Sequence, residues 1–277
     1  MKQALSKKLV ESGVCADKKQ ADALIMTGKV LVNDVPARAG MMISEKDAIR
    51  LKDLLPYASK GGLKLQGALD RFKLSVRDKV CLDAGASTGG FTDCLIQNGA
   101  QKVYAVDVGY GQLTGALRQN GRVVNLEKTN ISDPLLLSLD PRPVFATCDL
   151  SYLSLRDAVP VYRDILGGRG EMLALVKPLF EIDDPAARRS GQIDEGAYEP
   201  LLNRLCGDLN KVKDARVINV CESPVTGNNG TLEFFFYLTF GADTEATDLR
   251  FAITRSVQAA LSLTPYEKAG DLTLGQV

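Results

Sequence analysis

Four residues with ionisable side chains stand where short apolar runs end: Asp83 after VCL, Asp107 after YAV, Asp149 after FATC and Lys177 after LALV. Runs of this kind read as strands of a buried sheet, and open α/β sheets bind ligands outside the carboxyl ends of their strands. Beyond the first run, Gly85, Gly89 and Gly90 let the chain turn tightly and a ligand approach the backbone. Asp107 follows Gly85 by 22 positions, close to the ~20-residue separation at which a nucleoside-binding βαβ unit holds ribose hydroxyls. The spacing is G-x-x-x-G-G rather than G-x-G-x-x-G, so on this stretch alone a glycine-rich turn without a nucleoside stays open. The chain has no histidine, which removes Ser-His and Cys-His nucleophiles and most zinc sites. Acid–base chemistry therefore falls to Asp, Glu, Lys, Tyr or Cys. The six cysteines, at 15, 81, 94, 148, 206 and 221, form no C-x-x-C pair and read as buried free thiols in a reducing compartment. No ligand set for a metal is visible.

The elements that must position these groups follow from periodicity. Residues 79–107 read as strand, turn, helix and strand, with Phe91, Leu95 and Ile96 at helical spacing and Asn98-Gly99 as the stop. Upstream, SKGGLKLQGALDRF opens a helix whose apolar stripe is Leu65, Ala68, Leu69 and Phe72; on composition Lys64 reads as a solvated lysine. Downstream come a helix over 112–119, a strand over 123–126 ending before Asn130, and a polar segment, 181–199, able to close over a site. A helix over 200–209 follows. Strands over 215–222 and 231–240 are joined by SPVTGNNG. In the second, Leu232, Phe234, Phe236 and Leu238 alternate with Glu233, Phe235, Tyr237 and Thr239. A helix over 248–262 ends the pattern. The fold class expected is α/β, a mostly parallel Rossmann-like sheet with an antiparallel last strand.

Residues 1–52 read as a separate small α+β module: two amphipathic helices, the second capped by Asp17 and ended by Gly28, then KVLVNDVPA as strand and turn and MMISEKDAIRL as one closing strand. Residues 53–59 are a linker interrupted by Pro56, and 60–277 form the large domain. The net charge is zero, but residues 1–64 carry 12 Lys/Arg against 7 Asp/Glu, and the remainder has the opposite excess. A basic small domain beside an acidic larger one points to a nucleic-acid contact on the former. No apolar run nears the roughly 18 residues of a membrane span, and the lysine-broken start lacks a secretory core. A cytoplasmic protein without stable membrane association is expected.

Longer motifs sharpen this. Gly28 to Asp34, GKVLVND, with DAIRL at 47–51, resembles the S4 RNA-binding domain. That resemblance implies that Lys18, Lys19, Lys29 and Arg38 contact RNA phosphates, which position a protein without reading sequence. DAGASTGGF at 83–91, VDVGYGQL at 106–113, CDLSYLSL at 148–155, LVKP at 175–178 and GTLEFFFYL at 230–238 resemble the RNA 2′-O-methyltransferases of the FtsJ class. An antiparallel finish on a parallel sheet is also what separates methyltransferase folds from dinucleotide dehydrogenases. The two-domain order is similar to that of the TlyA/haemolysin A family of ribosomal RNA cytidine 2′-O-methyltransferases. The resemblance implies S-adenosyl-L-methionine as cofactor, held by Asp83, Gly85, Ser87, Gly89, Gly90, Asp107, Asn130 and Asp149. It implies a catalytic tetrad of Lys64, Asp149, Lys177 and Glu233, no metal, and the ribosomal subunit as partner. In such a tetrad, Lys177 would take the proton of a ribose hydroxyl, Lys64 would assist and help hold the ribose, and the two acids would orient the amines. Two other readings carry weight from the family names: a membrane-acting haemolysin, opposed by the missing signal and spanning segments, and a catalytically silent ribosome-binding protein, opposed by the intact tetrad.

Overall fold

The computed structural model describes residues 2–15, 17–52, 55–241, 248–264 and 272–274. The chain divides into two units, Met1–Leu55 with Glu267–Val277, and Pro56–Tyr266.

In the first unit, β1 (Gln3–Ala4), α1 (Leu5–Glu11) and α2 (Lys18–Met26) lead into β2 (Val30–Val32), β3 (Val35–Pro36), β4 (Met42–Ile43) and β5 (Ile49–Leu51). Asp17 caps α2 by accepting the Gln20 N–H at 2.8 Å. The closing strand expected over MMISEKDAIRL is instead two strands. The Asp47 carboxylate takes the Ser44 N–H at 2.6 Å, the Ser44 hydroxyl at 2.9 Å and the Asn33 amide at 2.8 Å, which folds 44–48 into a turn. Leu5, Leu9, Ile25, Val30, Ile43, Ile49 and Leu51 share one small core.

The second unit runs α3 (Lys60–Phe72), β6 (Val80–Ala84), α4 (Gly90–Gln97), β7 (Lys102–Asp107), α5 (Gly115–Arg118), β8 (Val123–Glu127), β9 (Phe145–Cys148), α6 (Leu155–Ile165), β10 (Gly170–Val176), α7 (Pro178–Glu181), α8 (Pro185–Ser190), α9 (Tyr198–Leu209), β11 (Ala215–Glu222), β12 (Phe234–Phe240) and α10 (Arg250–Leu261). Its seven strands lie in the order β11-β12-β10-β9-β6-β7-β8. The pairs from β10 to β8 are parallel, and β12 runs antiparallel to both neighbours. This is the mostly parallel sheet with an antiparallel last strand that the pattern of runs implies.

Strand alternation sorts the side chains into two layers. Leu82, Ala84, Phe234, Phe236 and Leu238 pack with α6, α9 and α10, while Cys81, Phe235 and partly buried Tyr237 pack with α3 and α4. All six cysteines are buried free thiols. No helix among the described residues is long and apolar enough to cross a membrane.

Leu272–Leu274 (β13) departs from the expected division at residue 60. It pairs antiparallel with β5, extending a four-stranded sheet of the first unit in the order β13-β5-β2-β3. The pairing satisfies backbone groups that β5 would otherwise present at a sheet edge.

Candidate functional site

The strand order reverses between β6 and β9, the position where open α/β sheets leave a crevice. There the chain leaves β6 at Gly85 and β9 at Asp149. Gly85 has φ 84°, and a Cβ on it would lie 2.4 Å from the Asp149 carbonyl oxygen. Only glycine combines that left-handed backbone with so close an approach. A Cβ on Gly90 would lie 2.2 Å from Ser59 Oγ and 3.0 Å from the Gly62 nitrogen, so the starts of α3 and α4 also abut across a missing side chain.

Lys64, Asp149, Lys177 and Glu233 line one cavity of about 350 Å³ at this crevice. They form two ion pairs of unlike character. Lys64 pairs with Glu233, and both side chains are 6% exposed. Lys177 Nζ lies 2.6 Å from Asp149 Oδ1, with the side chains 18% and 25% exposed, and it donates to Ser151 Oγ at 2.7 Å. Glu233 immediately precedes β12 on the Phe235 face, which is the face that α3 covers. A lysine one turn into α3 therefore meets it, and Lys64 is buried rather than solvated. The Lys177 end of β10 is anchored from behind. Buried Glu181, at the end of α7, accepts the Ser154 hydroxyl at 2.7 Å, the Leu155 N–H at 2.8 Å and Arg156 Nη1 at 3.0 Å, tying α7 to the start of α6.

A second cavity of about 160 Å³ shares Gly85, Ser87, Asp149 and Ser151 with the first and adds Val106, Asp107, Val108, Thr129, Ile131, Leu150 and Tyr152. It offers a largely apolar slot with two carboxylates, Asp107 and Asp149, at its edge. The Asp107 carboxylate accepts the Ser87 N–H at 2.8 Å through Oδ2 and the Gly109 N–H at 2.7 Å through Oδ1, so it fastens the two loops that frame the slot. Glu127, its neighbour across the β7–β8 ladder, is held below the usual carboxylate range chiefly by the Gly111 N–H.

Of the eight residues expected at a cofactor, Gly85, Ser87, Gly90, Asp107 and Asp149 line these two cavities. The other three do not line them. Gly89, φ 100°, is the N-cap of α4 and makes room for Leu117 and Leu113, whose methyls would lie 2.2 and 2.9 Å from its Cβ. Asn130 is exposed, and its Oδ1 accepts from the Ser132 N–H and hydroxyl; its neighbours Thr129 and Ile131 reach the slot instead. Asp83 is fully buried and accepts from Thr92 at 2.6 Å and Thr147 at 2.9 Å.

Burial pushes the Asp83 carboxyl up to about 6 from 3.8, against the two threonine hydrogen bonds. The folded state thus holds the proton more tightly than the unfolded chain, and stability falls as pH rises from about 4 to about 6. Across that window the wild type should lose at most about 3 kcal/mol relative to Asp83→Asn. Denaturant titrations of both proteins on the two sides of the window check this; a difference that does not vary with pH contradicts it.

Several lining residues escape a strand-end search. Ser151 lies two positions beyond Asp149. Lys60 also lines the tetrad cavity, and its i,i+4 spacing from Lys64 was the available signal. A larger cavity, about 570 Å³, opens beside Lys177 and Glu233 and is walled by Phe180, Gln192, Ile193, Asn228 and Asn229. Part of segment 181–199 does border the site, though it is folded around α8 rather than a plain loop.

In the first unit Lys18 and Lys19 open α2, Lys29 precedes β2 and Arg38 follows β3. Lys29 is half-buried and the other three are exposed.

Comparison with known proteins adds lineage to geometry. Residues 57–240 match the family described as FtsJ-like methyltransferase. A Bacillus subtilis protein provisionally named rRNA methyltransferase YqxC is 39% identical over 241 residues, 86% of this chain and 85% of its own. The 16S/23S rRNA (cytidine-2′-O)-methyltransferase TlyA of Mycobacterium tuberculosis is 34% identical over 261 residues, 90% of this chain and 95% of its own. A solved structure from Streptococcus thermophilus, provisionally called a hemolysin, is 34% identical, covers 94% of this chain and 96% of its own, and superposes with a TM-score of 0.70.

Proposed function

The chain belongs to the FtsJ-like methyltransferase family, and from that premise we propose that it methylates the 2′-hydroxyl of a ribose in ribosomal RNA, a cytidine as in its TlyA relative, using S-adenosylmethionine. One observation carries the reading: two lysine–carboxylate pairs line a single cavity that continues into a slot edged by Asp107. The two connected cavities fit this cofactor. The slot offers apolar walls for a nucleobase and carboxylates at its edge for ribose hydroxyls, and the cavity lined by Gly85 and Gly90 has room for its tail. When bound, the cofactor supplies an electrophilic sulfonium methyl.

The chain's own groups then do the acid–base and positioning work. A sugar hydroxyl is a poor nucleophile until its proton is taken up. Lys177, the more open of the two lysines, takes that proton as the free amine, after its ammonium has released one to solvent, while Asp149 and Ser151 fix its Nζ. Lys64, tied by Glu233, helps hold the ribose. Because nucleophile and methyl must meet in line, the rigidity of the two pairs contributes as much as their charge. The adjoining larger cavity receives the acceptor nucleoside. The first unit serves as an S4-like RNA-binding module, with Lys18, Lys19, Lys29 and Arg38 on phosphates, and the protein works in the cytoplasm on the ribosomal subunit.

Purified protein incubated with S-adenosylmethionine and ribosomal subunits should protect one ribose from alkaline cleavage, since a 2′-O-methyl group removes the internal nucleophile. If the cofactor binds but neither subunit nor free ribosomal RNA gains a protected position, the assigned substrate is wrong.

A further inference from the structure

Three lysines and two carboxylates line the tetrad cavity. Two of the lysines are matched, Lys64 with Glu233 and Lys177 with Asp149. The third, Lys60, stands one helical turn before Lys64. Its Nζ donates to the neutral Asn228 side chain at 3.0 Å, and among the described residues no carboxylate lies within ion-pair distance of it. Burial, and after it repulsion from Lys64, hold its ammonium below the usual lysine range; Glu233 and Asp149 oppose this from farther away. A half-buried cation beside a second cation, held by a neutral amide, is a place where an anion is favoured.

We infer that Lys60 binds the carboxylate of the methionine tail of S-adenosylmethionine, an inference that rests on the methyl-transfer reading above. The carboxylate is the one anionic group on that cofactor. Its nucleoside end belongs in the slot with Asp107, and that slot joins the tetrad cavity through Gly85, Ser87, Asp149 and Ser151. The tail therefore runs into the cavity whose one unmatched lining cation is Lys60. An RNA phosphate is the competing anion. On the proposed function, however, the acceptor enters through the larger cavity beside Lys177 and Glu233, and Lys60 does not wall it but touches it only through Asn228. Lys60 instead faces the cavity with Ser59, Gly61, Gly90 and Phe91.

Calorimetry on the full chain tests this with three ligands: S-adenosylhomocysteine, which keeps the carboxylate; decarboxylated S-adenosylmethionine, which lacks it; and 5′-methylthioadenosine, which lacks the whole amino-acid tail. Lys60→Met should weaken S-adenosylhomocysteine by about tenfold or more, the loss of a charge-assisted hydrogen bond. It should leave the other two ligands within about twofold of wild type, which also shows that the variant is folded. Lys60→Arg should retain most of the affinity for S-adenosylhomocysteine. Equal weakening of all three ligands overturns the assignment, as does unchanged S-adenosylhomocysteine affinity with weakened ribosomal RNA binding, which would make Lys60 a phosphate contact. Wild-type protein that binds none of the three removes the methyl-transfer reading and this inference together; any failure confined to the Lys60 variants leaves that reading standing.

Discussion

Lys177→Met should lower the single-turnover rate of methyl transfer by about 10²- to 10⁴-fold, the range over which a positioned acid or base acts, while cofactor affinity and fold stay close to wild type. The expectation follows from where Lys177 sits. It ends β10 at the open side of the crevice, its Nζ shared between Asp149 Oδ1 and Ser151 Oγ. The two side chains are 18% and 25% exposed, so although Asp149 Oδ1 is itself covered, breaking the pair leaves a carboxylate that solvent can still reach in part. Exposed pairs contribute about 0–1 kcal/mol to folding and removing one member of a fully buried pair costs about 3–5 kcal/mol, so this partly covered pair should cost the fold less than the enclosed one. The backbone turn at Lys177 is fixed from behind by Glu181 rather than by the amine. Rate, calorimetric affinity for S-adenosylhomocysteine and midpoint of unfolding should therefore separate cleanly. A variant with a normal rate removes Lys177 as the proton acceptor. A variant whose rate and cofactor affinity fall together would show that Lys177 positions the ligand instead.

Much of this site can be read along the chain, because strand ends and strand faces are local properties. Asp107, Asp149 and Lys177 stand at the carboxyl ends of β7, β9 and β10, and the β6–β9 reversal gathers them at one crevice. The alternation through 232–239 puts Glu233 on the Phe235 face whichever helix covers it. What was not legible depends on distant partners. Lys64 reads as a surface lysine because its burial is set by Glu233, 169 positions away. Asp83 looks like a ligand contact, yet Thr92 and Thr147, 9 and 64 positions off, claim its carboxylate. Asn130 is a different case. Its bond to Ser132 is a local turn, the sort of competition that Asn two residues before Ser announces. The pairing of β13 with β5 had no signal at all, since three residues at a sheet edge carry no periodicity to recognise.

The buried pair should behave in the opposite way to the open one. Lys64→Met leaves Glu233 as a carboxylate enclosed by protein, with the 227–231 turn folded so tightly over it that a Cβ on Gly227 would lie 2.6 Å from Glu233 Oε1. Removing one member of a buried ion pair costs about 3–5 kcal/mol, and Glu233→Leu should cost a similar amount by stranding the Lys64 ammonium. The double variant Lys64→Met/Glu233→Leu replaces both charges with apolar groups of similar bulk. It should recover most of the stability lost in either single variant, because neither desolvated charge remains. Denaturant unfolding of the four proteins gives the coupling directly as a double-mutant cycle. Methyl transfer should not return in the double variant, since restoring a packed interior does not restore an ammonium beside the ribose. That contrast separates what the pair does for the fold from what it does for the reaction. A double variant no more stable than its singles would mean that the enclosure, rather than the unpaired charge, sets the cost. A double variant that regains activity would remove Lys64 and Glu233 from the chemistry and leave Lys177 and Asp149 to carry it.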